Sequence, residues 1–309
     1  MSRRTRHILV GAAITGVVLT VLALIALVMY PRQITTWYTR VALERAGLER
    51  QVFDHDRGHI TYFRGGEGPP LIFVHGLADQ AGSWHRIARQ FPDHTVFVVD
   101  LPRHGESPMT DAETMSDEAL RPLFELFDAS FDEPVTIVGN SLGGWVSMEY
   151  ALARPGRVER LVPVGSAGLE HDIDQSLLMP ETRDEARRTI HMVFGDSAPP
   201  VPGFVLDRII ERSGESVIAE TFDHLDDVDD IDYLDDELAT LDIPVHLVWG
   251  TEDLIFPLDY AKRLDGKLPR SQLHVIDGCG HAPQVGCPDE FADLLITIIE
   301  GDDVETIPE

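Results

Sequence analysis

At 309 residues with a formal net charge of −28, the chain has room for one large domain with an inserted subdomain, but not for a second independent domain. Residues 1–50 hold seven Arg and two Glu, which leaves 18 basic and 51 acidic residues for the remainder. So negative a surface repels nucleic acid and excludes it as a partner; with only two lysines, Lys262 and Lys267, it suits a saline setting or is simply a soluble acidic surface.

Ile8 to Met29 carries no charged side chain, and as a helix it spans about 33 Å, enough for a hydrocarbon core. A cleaved signal peptide would share the basic start at Arg3, Arg4 and Arg6. Its apolar region is usually about 7–15 residues long and ends in small residues, whereas this run continues into Met29-Tyr30-Pro31. Residues 1–30 are therefore predicted to be a single-pass membrane anchor. The leading arginines favour a cytoplasmic N-terminus and a soluble domain on the periplasmic or extracellular face, a bias weakened by Arg32, Arg40, Arg45 and Arg50. Residues 31–50 read as a juxtamembrane amphipathic helix, with Trp37 and Tyr38 near the interface and Val41, Leu43 and Leu48 beyond them.

Residues 51–166 form the first part of an α/β core. His59 to Tyr62, Leu71 to Val74 and Thr95 to Val99 read as strands. Val135 to Val138 and Leu161 to Val164 are nearly all apolar, as central parallel strands covered on both faces should be. Between them, Leu142 to Ala153 has helical spacing and stops before Pro155-Gly156, implying a parallel crossover. Residues 167–240 interrupt the pattern with helical stretches, Pro180 to Phe194 and Phe204 to Ile218, and read as a helical lid over the strand ends. Nine of the fifteen residues from Asp223 to Glu237 are acidic; without a glycine-containing calcium loop they read as a solvated face. Residues 241–300 complete the core with strands Val245 to Trp249 and Gln272 to Ile276 and a helix from Pro288 to Ile299, and 301–309 form an acidic tail. The expected fold is a mostly parallel, doubly wound sheet.

Gly139-Asn140-Ser141-Leu142-Gly143 follows an apolar strand and opens a helix, the context of a G-x-S-x-G nucleophile elbow. The turn strains Ser141 and presses strand against helix, so Gly139 and Gly143 remove side chains that would collide. A serine hydroxyl needs a base that can later return the proton to a leaving group. His281, in the loop Gly278-Cys279-Gly280-His281 after a strand, supplies one. The orienting carboxylate should sit at a strand end, and Asp253 after Val245 to Trp249 fits, with Glu252 the nearest rival and Asp277 less suited. His75-Gly76 begins a glycine-containing loop, from which the main-chain N–H of Leu77 joins that of Leu142 as candidate oxyanion donors. His75 and His104 read as loop-shaping and packing residues. Cys279 and Cys287 flank His281 eight positions apart; a disulfide is conceivable, but two unpaired thiols are expected. No zinc or iron-cluster spacing is present, and the chemistry calls for no cofactor.

From about Gly58 to Ile299 these motifs, together with Asp100-Leu101-Pro102-Arg103-His104-Gly105-Glu106-Ser107, resemble the α/β-hydrolase family. With the N-terminal apolar run, Arg45-Ala46-Gly47-Leu48 and Gly165-Ser166-Ala167-Gly168-Leu169, the chain looks most like membrane-anchored lipases and esterases of the monoacylglycerol-lipase type. The resemblance implies an α/β-hydrolase fold and a serine esterase acting on acylglycerols or other lipid-like or small-molecule esters through an acyl-enzyme, held at the membrane by its N-terminal helix. Apolar lid residues Leu177, Leu178, Met179, Val193 and Phe194 could receive an acyl chain or only pack the lid. Arg103 departs from the family pattern, which commonly has glycine there. Two alternatives stand beside this reading: a carbon–carbon bond hydrolase of ring-fission products, which shares the Ser-Asp-His order and a pair like Gly143-Gly144, and a catalytically inactive membrane-bound binding protein.

Overall fold

The computed structural model describes residues 31–108, 117–213, 218 and 233–301. Its centre is an eight-stranded sheet: β1 (Glu49–His55), β2 (Gly58–Gly65), β3 (Pro70–Val74), β4 (Thr95–Val99), β5 (Val135–Asn140), β6 (Val158–Val164), β7 (Val245–Gly250) and β8 (Ser271–Ile276). The order is β1-β2-β4-β3-β5-β6-β7-β8. β1 pairs antiparallel with β2, and β2 antiparallel with β4; the remaining neighbours are parallel.

The helices are α1 (Pro31–Arg45), α2 (Asp117–Ser130), α3 (Leu142–Ala153), α4 (Arg183–Phe194), α5 (Gly203–Ser213), α6 (Leu258–Asp265) and α7 (Pro288–Glu300), with short helical turns between. Strand side chains alternate between faces, and the apolar core divides accordingly. Ile72 and Val74 of β3 join Phe97, Ile137 and Trp249 under α2, α3 and α6. Leu71 and Phe73 join Val98, Val138 and Val248 under α1 and α7. A sheet covered on both sides in this way favours the mostly apolar runs of β3, β5 and β7, in which Thr136, Asn140 and His246 are buried polar exceptions.

The N-terminal expectations need correcting. The helix does not reach residue 50. After Arg45 the N–H of Leu48 donates to the Leu43 carbonyl and that of Gly47 to the Glu44 carbonyl, with Gly47 at φ 89°; this glycine stop ends α1 and lets Glu49 begin β1. Among the described residues no helix is long and apolar enough to cross a membrane. α1 has 15 residues, about 22 Å, short of a hydrocarbon core of about 30 Å, and it buries Leu43 against the domain. The expected single-pass membrane protein with an external catalytic domain is therefore not supported; the Ile8 to Met29 run on which it rested lies outside the described residues.

Between β6 and β7 the described residues form helices and turns, without a strand. Thr182 caps α4 and Glu185 closes a capping box with it, so the helix starts at Arg183 rather than Pro180. α5 is described from Gly203 to Ser213; of the rest of the expected Phe204 to Ile218 helix, only Ile218 is described. Most of the acidic run from Asp223, and the tail from residue 302, also lie outside the described residues.

Candidate active site

Ser141, Asp253 and His281 stand beyond the C-terminal ends of β5, β7 and β8, and Gly76 beyond that of β3, the edge at which parallel sheets present ligand sites. Ser141 sits at φ 56° and ψ −119° between β5 and α3, a backbone conformation costly for a residue with a Cβ. The glycines around it make the turn possible. A Cβ on Gly139 would strike the Gly143 carbonyl, one on Gly143 the carbonyls of Val74 and His75, and one on Gly144 the side chain of Ser166.

His281 is buried and its Nδ1 lies 2.9 Å from Oδ2 of Asp253. The other carboxylate oxygen, Oδ1, accepts from the main-chain N–H groups of Ile255 at 2.9 Å and Phe256 at 3.0 Å. A neutral imidazole held this way carries its proton on Nδ1 and leaves Nε2 as an acceptor. The rivals do not reach the imidazole: Glu252 faces His191 at 3.4 Å and Asp277 faces Thr251 at 3.4 Å. Behind the pair, a Cβ on Gly165 would lie 3.0 Å from Asp253 Oδ2 and 3.1 Å from His281 Nδ1.

Ser141 and His281 line one cavity of about 430 Å³, together with Gly76, Leu77 and Leu142. A Cβ on Gly76 would lie 3.1 Å from Ser141 Cβ, so the main chain leading to Leu77 passes beside the serine. Leu142 is the first residue of α3, where a main-chain N–H has no intrahelical acceptor. The rest of the wall is mostly apolar, with Leu178, Met192, Val193, Ile218 and Val285 among it, and Trp145 stacked on Tyr233. Of the apolar residues singled out in the insertion, Leu178 and Val193 reach the cavity, whereas Leu177 is buried elsewhere. Among the described residues no Arg or Lys lines it, and Asp79 is its acidic side chain.

Under the Leu77 loop lies a buried polar group. His75 donates through Nδ1 to the Gly76 carbonyl at 2.7 Å and accepts at Nε2 from the N–H of Leu101 at 3.0 Å, which joins two loops and leaves it no free nitrogen. Asp100 accepts from Ala81 and Glu106. Burial lowers His75 and His104 to about 4 and raises Asp79 and Asp100 to about 6, so each resists carrying charge.

Cys279 and Cys287 form a disulfide, with Cα atoms 5.9 Å apart, contrary to the expectation of free thiols. The short helical turn Pro283–Gly286 folds the chain back so that residues eight apart meet within bonding range. His191, Asp196 and Glu252 bring one potential ligand atom each within 4.8 Å of one another, a grouping that spacing along the chain did not reveal. Asn140 and Gln284, both buried, were also missed. The contacts of Asn140 with His281 and Gln284 join segments more than 140 positions apart, and no local pattern signals them.

A model of the alpha/beta hydrolase family matches residues 71–294. The chain belongs to the alpha/beta hydrolase family. The pimeloyl-[acyl-carrier protein] methyl ester esterase of Aeromonas salmonicida is 27% identical over 268 residues, covering 76% of this chain and 97% of its own. The 2-hydroxy-6-oxo-6-(2'-aminophenyl)hexa-2,4-dienoic acid hydrolase of Metapseudomonas resinovorans is 25% identical over 253 residues, covering 77% and 86%. Among solved structures, a bacterial membrane phospholipase A superposes with a TM-score of 0.73 at 24% identity, covering 94% of this chain and 98% of that one, a likeness of fold. Family, fold and these neighbours support a hydrolase.

Proposed function

We propose that this alpha/beta hydrolase cleaves carboxylic esters of acylglycerols or similar lipid-like acyl compounds through a Ser141-His281-Asp253 triad. The observation that carries the reading is the Asp253–His281 hydrogen bond at the wall of a cavity that also holds the strained serine. Ser141 Oγ attacks the acyl carbon while His281 Nε2 takes its proton, and the N–H groups of Leu77 and Leu142 donate to the oxygen that becomes negative. The tetrahedral intermediate collapses, the ester C–O bond breaks, and the leaving alcohol receives the proton from His281. Water then repeats the sequence on the acyl-enzyme, releasing the acid and restoring Ser141. Every proton and acyl group is accounted for without a cofactor.

The lining favours an ester over a ring-fission acid. A dienoic diketo acid would bring carboxylate charge against Asp79 into a wall with no lysine or arginine among the described residues, where an unpaired buried charge is expensive. An acyl chain would instead meet Leu178, Met192 and Val193, and the hydroxyls of a glycerol moiety could donate to Asp79. The test is turnover of a medium-chain p-nitrophenyl ester, a monoacylglycerol and a dienoic diketo acid by the parent chain and Ser141→Ala. The reading expects both esters cleaved, the diketo acid untouched and the variant inactive. Carbon–carbon cleavage without ester cleavage would replace it, and an unlabelled Ser141 with a fluorophosphonate probe would turn it towards an inactive binding protein.

A further inference from the structure

The imidazole of His281 is fixed by Asp253, but a ring is placed no better than the main chain from which it hangs. We infer that Asn140 is a positioning residue that ties the main chain of His281 to the serine turn, and that Gln284 holds the Asn140 carboxamide in place. The inference rests on the triad reading above. Asn140 is buried, and its Nδ2 donates both to the His281 carbonyl and to the Val164 carbonyl, each at 2.9 Å. The Val164 carbonyl also receives the main-chain N–H of Ser141 at 2.9 Å. One carboxamide therefore joins the end of β6, the residue before the nucleophile and the backbone of the base.

The remaining valence is also used. Asn140 Oδ1 accepts from Gln284 Nε2 at 2.9 Å, which fixes the amide so that both its hydrogens face carbonyls. Gln284 makes this donation while its own Oε1 stays buried without a protein partner among the described residues, a loss that an apolar side chain of similar size would avoid. From the opposite side the N–H of His281 donates to the Met192 carbonyl at 2.7 Å. Both main-chain polar groups of His281 are thus held, one by the segment between β6 and β7 and one by the elbow. A carboxylate at 140 would offer no donor and would set oxygen against two carbonyl oxygens. The main chain of His281 would then shift, and a misplacement of about 1 Å can reduce rate about 100-fold.

The experiment compares Asn140→Asp, Gln284→Met and Ser141→Ala with the parent on a medium-chain p-nitrophenyl ester. Active sites of the parent and of the Asn140 and Gln284 variants are counted by fluorophosphonate titration, and Ser141→Ala, which has no hydroxyl to label, is normalised to protein concentration. Asn140→Asp is expected to lower kcat about 10- to 100-fold, with a smaller change in KM because Asn140 also lines the cavity, and to slow inactivation by the probe in parallel. Gln284→Met should lose less, in the same direction. A purely structural role would lower melting temperature and the number of active sites but leave kcat per titrated site unchanged, which would overturn the inference. So would a loss confined to KM. If Asn140→Asp does not fold, Gln284→Met decides by the same measurements. Turnover by Ser141→Ala would sink the triad reading itself; an inactive Ser141→Ala beside a fully active Asn140→Asp would remove only the positioning role.

Discussion

Asp253 and His281 meet at 2.9 Å, and the carboxylate oxygen that does not face the imidazole is committed to two main-chain donors, Ile255 and Phe256. That commitment dictates how Asp253→Asn would behave. The amide oxygen must stay with the two N–H groups, so the amide nitrogen turns towards His281 Nδ1 and forces the imidazole proton onto Nε2, the nitrogen that the proposed mechanism uses as base. We expect kcat to fall about 10³- to 10⁴-fold at neutral pH, with KM little changed because Asp253 does not line the cavity. Steady-state kinetics decide it, and a loss below tenfold would count against the assigned proton route.

The Cys279–Cys287 bond closes an eight-residue span around His281. Replacing both by serine should lower the unfolding free energy by about 2–3 kcal/mol, the loop-closure value for a ring of this size, and also lower kcat. Urea unfolding with and without dithiothreitol checks the cause. Reductant should move the parent midpoint towards that of the double variant and leave the variant where it is.

Arg103 occupies φ 66°, left-handed backbone that favours glycine, while its N–H donates to the Ser107 carbonyl at 2.8 Å. Arg103→Gly should relieve about 1 kcal/mol of backbone strain and raise Tm by a few degrees. A calorimetric Tm equal to or below the parent's would show that the arginine side chain contributes more than its backbone loses.

Asp79, raised to about 6 by burial, gives a pH signature with a definite sign. Above pH 6 the folded chain holds a carboxylate that the unfolded chain hydrates more favourably. As pH falls from 6 towards 3.8 the folded state takes up the proton first, so this destabilisation fades. Asp79→Asn should therefore be more stable than the parent at pH 7.5, by about 1 kcal/mol for a partly exposed group, and lose most of that advantage by pH 4.5. His75 and His104, lowered to about 4, act oppositely, because unfolding lets them take up protons as pH falls below 6.5. Urea titrations at both pH values separate the two. An advantage for Asp79→Asn that grew on acidification would contradict the burial argument.

How much of this was legible along the chain depended on how local each cause is. β3, β5 and β7 stand out because strands covered on both faces are mostly apolar. β1 did not, since an edge strand with alternate residues exposed leaves Glu49-Arg50-Gln51-Val52-Phe53 without an apolar run. α2 is obscured along the chain although Leu120, Leu123, Phe124 and Phe127 follow a helical repeat and are buried, because Pro122 within it reads as a break. Glycine and serine spacing announced the elbow, because its steric demands fall within five residues. The disulfide and the Asn140–Gln284 contact depend on turns and distant segments arriving together, which spacing does not encode.

The hydrogen bond from the His281 N–H to the Met192 carbonyl also bears on grafting. Exchanging the stretch between β6 and β7 with that of a relative would look like a change of the cavity wall alone, yet it would also replace the ledge on which the main chain of His281 rests. Chimaeras joined so as to retain Met192 and Val193 should keep their turnover more faithfully than those that exchange the whole stretch.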